Sequence, residues 1–235
     1  MGNYLPTVAM GALMTRTVIF DLDGTLADTS GDLIAAANAA LVEMGHAPHL
    51  TRGADDATAF RGGRAMLHLA CTRMGLEASD DVIERGYPLL LAAYGRAIDE
   101  HTTLYPGAVA AVERLHAAGV GVGICTNKPE ALAVQLLERL GILGLFTSLV
   151  GADTLPVRKP DPAPYRAAVT GAGGDVARSI LIGDTVTDRA TARAAGVPCA
   201  LVTFGPTGRA VADLSPEALL DHFDDLDRVL DTLIP

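Results

Sequence analysis

The sequence predicts an α/β fold, a Rossmann-like parallel sheet flanked by helices and interrupted by an inserted all-helical domain. Three observations predict it. The run Thr17-Val18-Ile19-Phe20 is apolar and rich in β-branched and aromatic residues, and it stops abruptly at two carboxylates, Asp21 and Asp23, as a buried strand does at its solvent end. From Pro106 onward, short apolar runs alternate with helical stretches, the pattern of parallel strands joined by right-handed crossovers. Between these regions, residues 29–103 carry helix-forming segments and no buried-strand run. The economical reading is a discontinuous core, 15–28 plus 104–235, with a helical cap at 29–103. Residues 1–14 read as a flexible leader.

Each element has a local reason. Thr29 to Gly45 is dense in Ala, Leu and Ile and stops at a glycine, so it reads as a helix. Thr51 to Asp56 is polar and turn-like. Ala65 to Met74 carries an apolar stripe and ends at Gly75, a second helix. Ser79 to His101 is a third, with a bend expected at Pro88. In the core, helices are predicted over 108–118, from Pro129 to Leu140, over 161–170 and over 188–195. Strands are predicted over 120–125, 146–150, 179–182 and 199–203. Ser215-Pro216-Glu217 reads as a cap and first-turn Pro opening a further helix, and 224–234 as a last amphipathic one.

Bulk properties narrow the function. The chain has 235 residues, 49% hydrophobic and 20% charged, the profile of a globular protein. A net charge of -10 with no basic cluster argues against nucleic-acid binding. No apolar run approaches the length of about 20 residues that spans a bilayer, so no membrane association is expected. Cys71, Cys125 and Cys199 are widely spaced and odd in number, which predicts unpaired thiols in a reducing, cytoplasmic setting.

The chemistry lies at the predicted strand ends. The first strand ends in Asp21 and Asp23, the second in Thr126 and Asn127. The loop after the third carries Lys159, and the fourth gives Asp184, followed by Asp188. In a parallel sheet these ends share one edge, where ligands of open α/β sheets bind. Acids, an amine, a hydroxyl and an amide gathered there suit a divalent cation and a phosphoryl group. Mg²⁺ prefers such oxygen ligands and pairs with substrate phosphate. Of the 18 basic residues only Lys128 and Lys159 are lysines. Both follow predicted strand ends, where a compact ammonium fits among carboxylates better than a planar guanidinium. Lys159 reads as a site residue; Lys128 leans the same way, and also fits a plain helix-start charge.

Together Asp21-Leu-Asp-Gly-Thr25, Thr126, Lys159-Pro160 and Gly183-Asp184-Thr-Val-Thr-Asp188 resemble, in order, the motifs of the haloacid dehalogenase superfamily of phosphohydrolases. The insertion is similar to the helical cap of the branch that includes phosphoglycolate phosphatases. Leu104-Tyr-Pro-Gly107, Thr126-Asn-Lys-Pro129 and Lys159-Pro-Asp-Pro162 strengthen that likeness. The resemblance implies a hydrolase of small phosphate monoesters, with 2-phosphoglycolate favoured, acting through an aspartyl-phosphate. It implies Asp21 as nucleophile and Asp23 as acid/base. Mg²⁺ would be held by Asp21, the Asp23 backbone carbonyl and Asp184, with Asp188 behind them. Thr126, Asn127 and Lys159 would bind the phosphoryl group. Sugar-phosphate or nucleotide monophosphatases and phosphomutases are the alternatives on the same scaffold. A phosphorylated regulatory domain is the non-enzymatic one, although it would need neither Asp23 nor the insertion. The phosphonate-cleaving branch uses a cap lysine, and 29–103 contains none.

Substrate selection is expected in the cap. Arg61-Gly62-Gly63-Arg64 places two cations on a flexible loop before a helix, suited to a substrate carboxylate or simply solvated. Arg158 beside Lys159 has the same two readings. The six histidines show no ligand spacing, and Cys125 reads as a packing residue inside a strand.

Overall fold

A computed structural model of the protein describes residues 16–235, so the predicted leader lies outside the described residues. The core strands are β1 (Thr17–Phe20), β4 (Gly121–Cys125), β5 (Ser148–Val150), β6 (Ser179–Gly183), β7 (Cys199–Val202) and β8 (Ala218–Leu220). They form one six-stranded sheet in the order β5-β4-β1-β6-β7-β8, with every pairing parallel. The order reverses beside β1, which pairs with β4 on one side and β6 on the other. The carboxyl ends of β1, β4 and β6 therefore flank the crevice that such a switch point creates.

Strand alternation explains the two layers. Val18, Phe20, Val122, Ile124, Ile180 and Ile182 share one apolar cluster, whereas Ile19, Cys125 and Leu181 point into another. Helices α7 (Pro162–Gly171) and α8 (Val186–Ala195) cover the second face through Tyr165, Ala168, Val169 and Ala192. Helices α5 (Ala108–Ala117), α6 (Glu130–Arg139) and α9 (Leu226–Leu233) cover the first through Val112, Leu136 and Leu230. A sheet buried on both faces reads as continuous apolar runs, as β1 and β6 do.

The cap comprises α1 (Ser30–Glu43), the short α2 (Asp56–Ala59), α3 (Gly63–Arg73) and α4 (Asp80–Arg96). It leaves and rejoins the core through two short strands, β2 (Ala27–Asp28) and β3 (Thr103–Leu104), paired antiparallel. The buried Asp32 carboxylate ties that return path to α1, accepting from the His101 and Thr102 amides and the Thr102 hydroxyl.

Several expectations are corrected. Ser215-Pro216-Glu217 opens no helix. Ser215 has φ 53° in the left-handed region, and Ala218–Leu220 is the sixth strand. The Glu217 amide donates to the Cys199 carbonyl and its carboxylate accepts from the Cys199 amide. Pairing with β7 thus overrides the helical preference of Ala-Leu-Leu. The third cap helix ends at Arg96, short of His101, with Pro88 inside it. Asp56–Ala59 forms a helical turn that begins where the polar stretch Thr51 to Asp56 ends.

Candidate active site

The chain leaves β1 into a tight turn from Leu22 to Ala27. The Leu26 and Ala27 amides both donate to the Leu22 carbonyl, and the Gly24 amide donates to the Ala27 carbonyl. Gly24 has φ +82°, and a Cβ there would lie 2.3 Å from Asp184 Oδ2. The close approach of the β1 and β6 loops thus requires glycine. Asp21 and Asp184 are brought face to face, and their carboxylate oxygens lie, with one of Asp188, within 4.8 Å of one another. Among the described residues this is the one such group of metal-ligating side chains.

Lys159 lies at the centre, almost wholly buried. Its ammonium donates to Asp188 Oδ1 at 2.6 Å and stands 3.1 Å from Asp21 Oδ1. The other Asp188 oxygen accepts from the Thr185 hydroxyl and amide at 2.6 and 3.1 Å, in a capping box at the start of α8. Asp188 therefore orients Lys159 and the Asp184 loop with both oxygens. Burial alone would discharge Lys159, but Asp188 and Asp21 outweigh it and hold the amine above its ordinary value. Asp21 moves the other way. Burial, with Asp188 and Asp23 nearby, outweighs Lys159 and raises its carboxyl to about 6. Asp184 is raised well above the usual range by burial, then by Asp188 and Asp21.

These shifts test whether a cation fits. Asp21 and Asp184 are under-compensated acids, since the one ammonium of Lys159 faces the three carboxylates of Asp21, Asp184 and Asp188. A divalent cation would relieve that repulsion, and an all-oxygen donor set suits a hard cation such as Mg²⁺.

Asp23 has partners of its own. Its Oδ1 accepts from the Thr29 hydroxyl at 2.6 Å and from Lys128 Nζ at 2.7 Å. Lys128 is buried, with its ammonium 4.4 Å from the centre of the Tyr94 ring. Of its two readings, site residue and helix-start charge, this burial and pairing favour the first. Its scarcity among arginines was the signal. Tyr94, Thr29 and Tyr87 were not singled out in the sequence, because each acts from a segment whose packing only the fold supplies.

Thr126 is buried at the end of β4, and its oxygen accepts from the Lys128 amide. The Asn127 side-chain amide donates to the Lys159 carbonyl at 3.0 Å, which fixes the Lys159 loop. A cavity of about 550 Å³ lies between cap and core. Asp21, Asp23, Thr126, Asn127, Lys128 and Lys159 line it from the core, and Arg61, Arg64, Tyr87 and Tyr94 from the cap. Asp184 is not among the residues that line it. The two cap arginines differ. Arg64 pairs with Glu84 and stacks on Tyr87, 4.3 Å from the ring centre. Arg61 is exposed and, among the described residues, makes no ion pair. Arg158 is likewise exposed at the rim. Cys125 is buried in β4, with its thiol pushed up to about 12 by burial, so it packs and does not attack.

Comparison with known proteins agrees with this geometry. Residues 15–196 match the family model of haloacid dehalogenase-like hydrolases. The chain is 41% identical over 221 residues to a phosphoglycolate phosphatase of Mesorhizobium japonicum, covering 91% of this chain and 94% of that one. It is 39% identical over 217 residues to a phosphoglycolate phosphatase of Rhodospirillum rubrum, covering 91% and 90%. Among solved structures, a predicted phosphoglycolate phosphatase of Haemophilus somnus superposes with TM-score 0.76 at 26% identity, over 93% of this chain and 99% of that one. Sequence, sheet order and acidic cluster converge, and the chain belongs to the haloacid dehalogenase-like hydrolase family.

Proposed function

We propose that the protein is a Mg²⁺-dependent phosphatase that hydrolyses 2-phosphoglycolate through an aspartyl-phosphate at Asp21. The observation that carries this reading is the meeting of Asp21, Lys159 and Asp184 at the switch point of the sheet, beneath a cap-covered cavity. The relatives described as phosphoglycolate phosphatases support the substrate. The proposed division of labour is a catalytic core of 15–28 and 104–235 and a selective cap of 29–103.

When bound, the cation offsets the Asp21 and Asp184 carboxylates and polarises the phosphoryl oxygens; Asp21, Asp184 and the Asp23 carbonyl are its proposed holders. The chain's own groups do the rest. An Asp21 carboxylate oxygen attacks phosphorus, and the ester P–O bond breaks. Lys159 and Thr126 stabilise charge on the phosphoryl oxygens, with Asn127 holding Lys159 in place. Asp23 gives its proton to the leaving alkoxide, then takes one from the water that releases phosphate and restores Asp21. Asp188 keeps Lys159 aimed at Asp21. Arg61, exposed at the cavity mouth and in no ion pair among the described residues, draws in the anionic substrate, whereas Arg64 is committed to Glu84 and Tyr87.

The cavity of about 550 Å³ also admits a larger ester, which favours a sugar phosphate or nucleotide monophosphate as the second reading. A panel of phosphate monoesters with MgCl₂ separates the two. The highest kcat/KM on 2-phosphoglycolate, lost with EDTA, is the expected result. A higher value on a sugar phosphate selects the alternative, and turnover that survives EDTA removes the metal.

A further inference from the structure

Lys128 is out of place as a structural residue. It is a buried ammonium at the start of a crossover, on the wall of the substrate cavity. Burial would discharge it, yet Asp23 and Tyr94 more than offset burial and hold it charged. An ammonium has three donors. One is taken by Asp23 Oδ1 at 2.7 Å. One side of the group rests on the Tyr94 ring, 4.4 Å from its centre. Asp23 and Tyr94 are its side-chain partners among the described residues, so at least one of the three donors remains on a residue that lines the cavity. Tyr94 adds a second feature. Its hydroxyl is buried with no hydrogen-bond partner, and the residue lines the same cavity. A native interior leaves few such groups unsatisfied without a reason.

We propose that Lys128, seated on the ring of Tyr94, receives the second anionic group of the substrate and selects esters whose carboxylate lies one carbon from the ester oxygen. This rests on the phosphatase reading and on Asp23 serving the leaving oxygen. Asp23 and Lys128 are then adjacent corners of one ring of contacts. The leaving oxygen meets Asp23 and the carboxylate meets Lys128, each at roughly 2.8 Å. By ordinary bond lengths, the ester and carboxylate oxygens of a two-carbon acid lie roughly 3 Å apart, which closes that ring without strain. The cap contributes through Tyr94 in α4, which keeps the ammonium from swinging away. Arg61, out at the mouth, attracts anions generally; Lys128 reads where the second charge sits. Lys128 is here a specificity residue for the leaving group.

The test compares 2-phosphoglycolate with ethyl phosphate, an ester of the same length that lacks the carboxylate. The wild-type ratio of the two kcat/KM values is expected to favour 2-phosphoglycolate. In Lys128→Met that ratio falls roughly tenfold to hundredfold, the worth of a hydrogen bond to a charged group. In Tyr94→Leu it falls roughly threefold to tenfold, as loss of a desolvated cation–π contact implies. Tyr94→Leu leaves the Lys128–Asp23 pair in place, so it still reports if Lys128→Met does not fold. A merely structural Lys128 lowers both substrates in proportion and leaves the ratio unchanged, which overturns the inference. A wild type that hydrolyses both esters equally also overturns it, with the phosphatase reading intact. A wild type that releases phosphate from no monoester overturns that reading, and this inference with it.

Discussion

Lys159 and Asp188 form an ion pair with Nζ–Oδ1 at 2.6 Å and side chains 2% and 0% exposed. The pair joins the loop after β5 to the first turn of α8, and it aims the ammonium at Asp21, 3.1 Å away. A charge this deep is costly if its partner is removed, since the Coulombic gain disappears and the desolvation cost stays.

Asp188→Ala is therefore expected to lower folding stability by about 3–5 kcal/mol. It also removes the acceptor of the Thr185 hydroxyl and amide. Asp188→Asn is expected to be milder, because it retains an acceptor oxygen. Urea unfolding of the three proteins checks the order. Phosphate release by folded Asp188→Asn should fall on the order of 10²–10³, the cost of losing an aligned donor to the phosphoryl group. Near-wild-type turnover would separate Asp188 from the chemistry.

The raised Asp21 carboxyl predicts a pH dependence of stability. Its folded value of about 6 lies above the ordinary value of 3.8. The folded state then binds the extra proton between these values, so the contribution is present below 3.8 and lost as pH rises through 6. Asp21→Asn cannot ionise. In EDTA it should become more stable than wild type above about pH 6, by at most about 3 kcal/mol, the size of a shift of roughly two units. Thermal melts of both proteins across this range are the check, and parallel curves would contradict the assignment.

Cation binding should carry the matching signature. A metal ligand must be deprotonated, so protons compete with the ion. Asp21 and Asp184 are both raised. The rise in melting temperature on adding MgCl₂ is expected to be small near pH 5 and to grow toward neutral pH. A rise independent of pH would place the ion away from these carboxylates.

The two cap arginines should separate in kinetics. Arg61 is exposed and free of ion pairs among the described residues. Arg61→Ala is expected to raise KM severalfold for every monoester, with the effect shrinking as salt screens the charge. Arg64 is tied to Glu84 and Tyr87, so Arg64→Ala should alter stability by no more than about 1 kcal/mol and KM little. Equal kinetic effects from both would contradict this division.

Much of this site was legible in the chain before its fold. Thr17 to Phe20 ends at Asp21 because a buried strand cannot continue into paired acids, and β6 ends at Asp184 for the same reason. Parallel pairing then places both on one edge, whatever their separation in sequence. The scarcity of lysine pointed to Lys159 and, less sharply, to Lys128. What stayed hidden depends on packing across the cap. Tyr94 carries no sign that it seats an ammonium on the far side of the cap–core boundary. Arg64 could not be told from Arg61 until α3 packed on α4 and brought Glu84 within reach. At two residues each, β2 and β3 are too short to show a period. Ala218–Leu220 reads as helix because pairing with β7, and not local preference, makes it a strand.

The central claim is that Asp21 is the nucleophile. Its most direct test is acid quenching of the enzyme while it turns over 2-phosphoglycolate labelled in the phosphoryl group, followed by peptide mapping. An acid-stable, hydroxylamine-labile label is expected on the peptide that carries Asp21, absent from Asp21→Asn. Sustained turnover with the label on any other peptide, or undiminished turnover by Asp21→Asn, would contradict it.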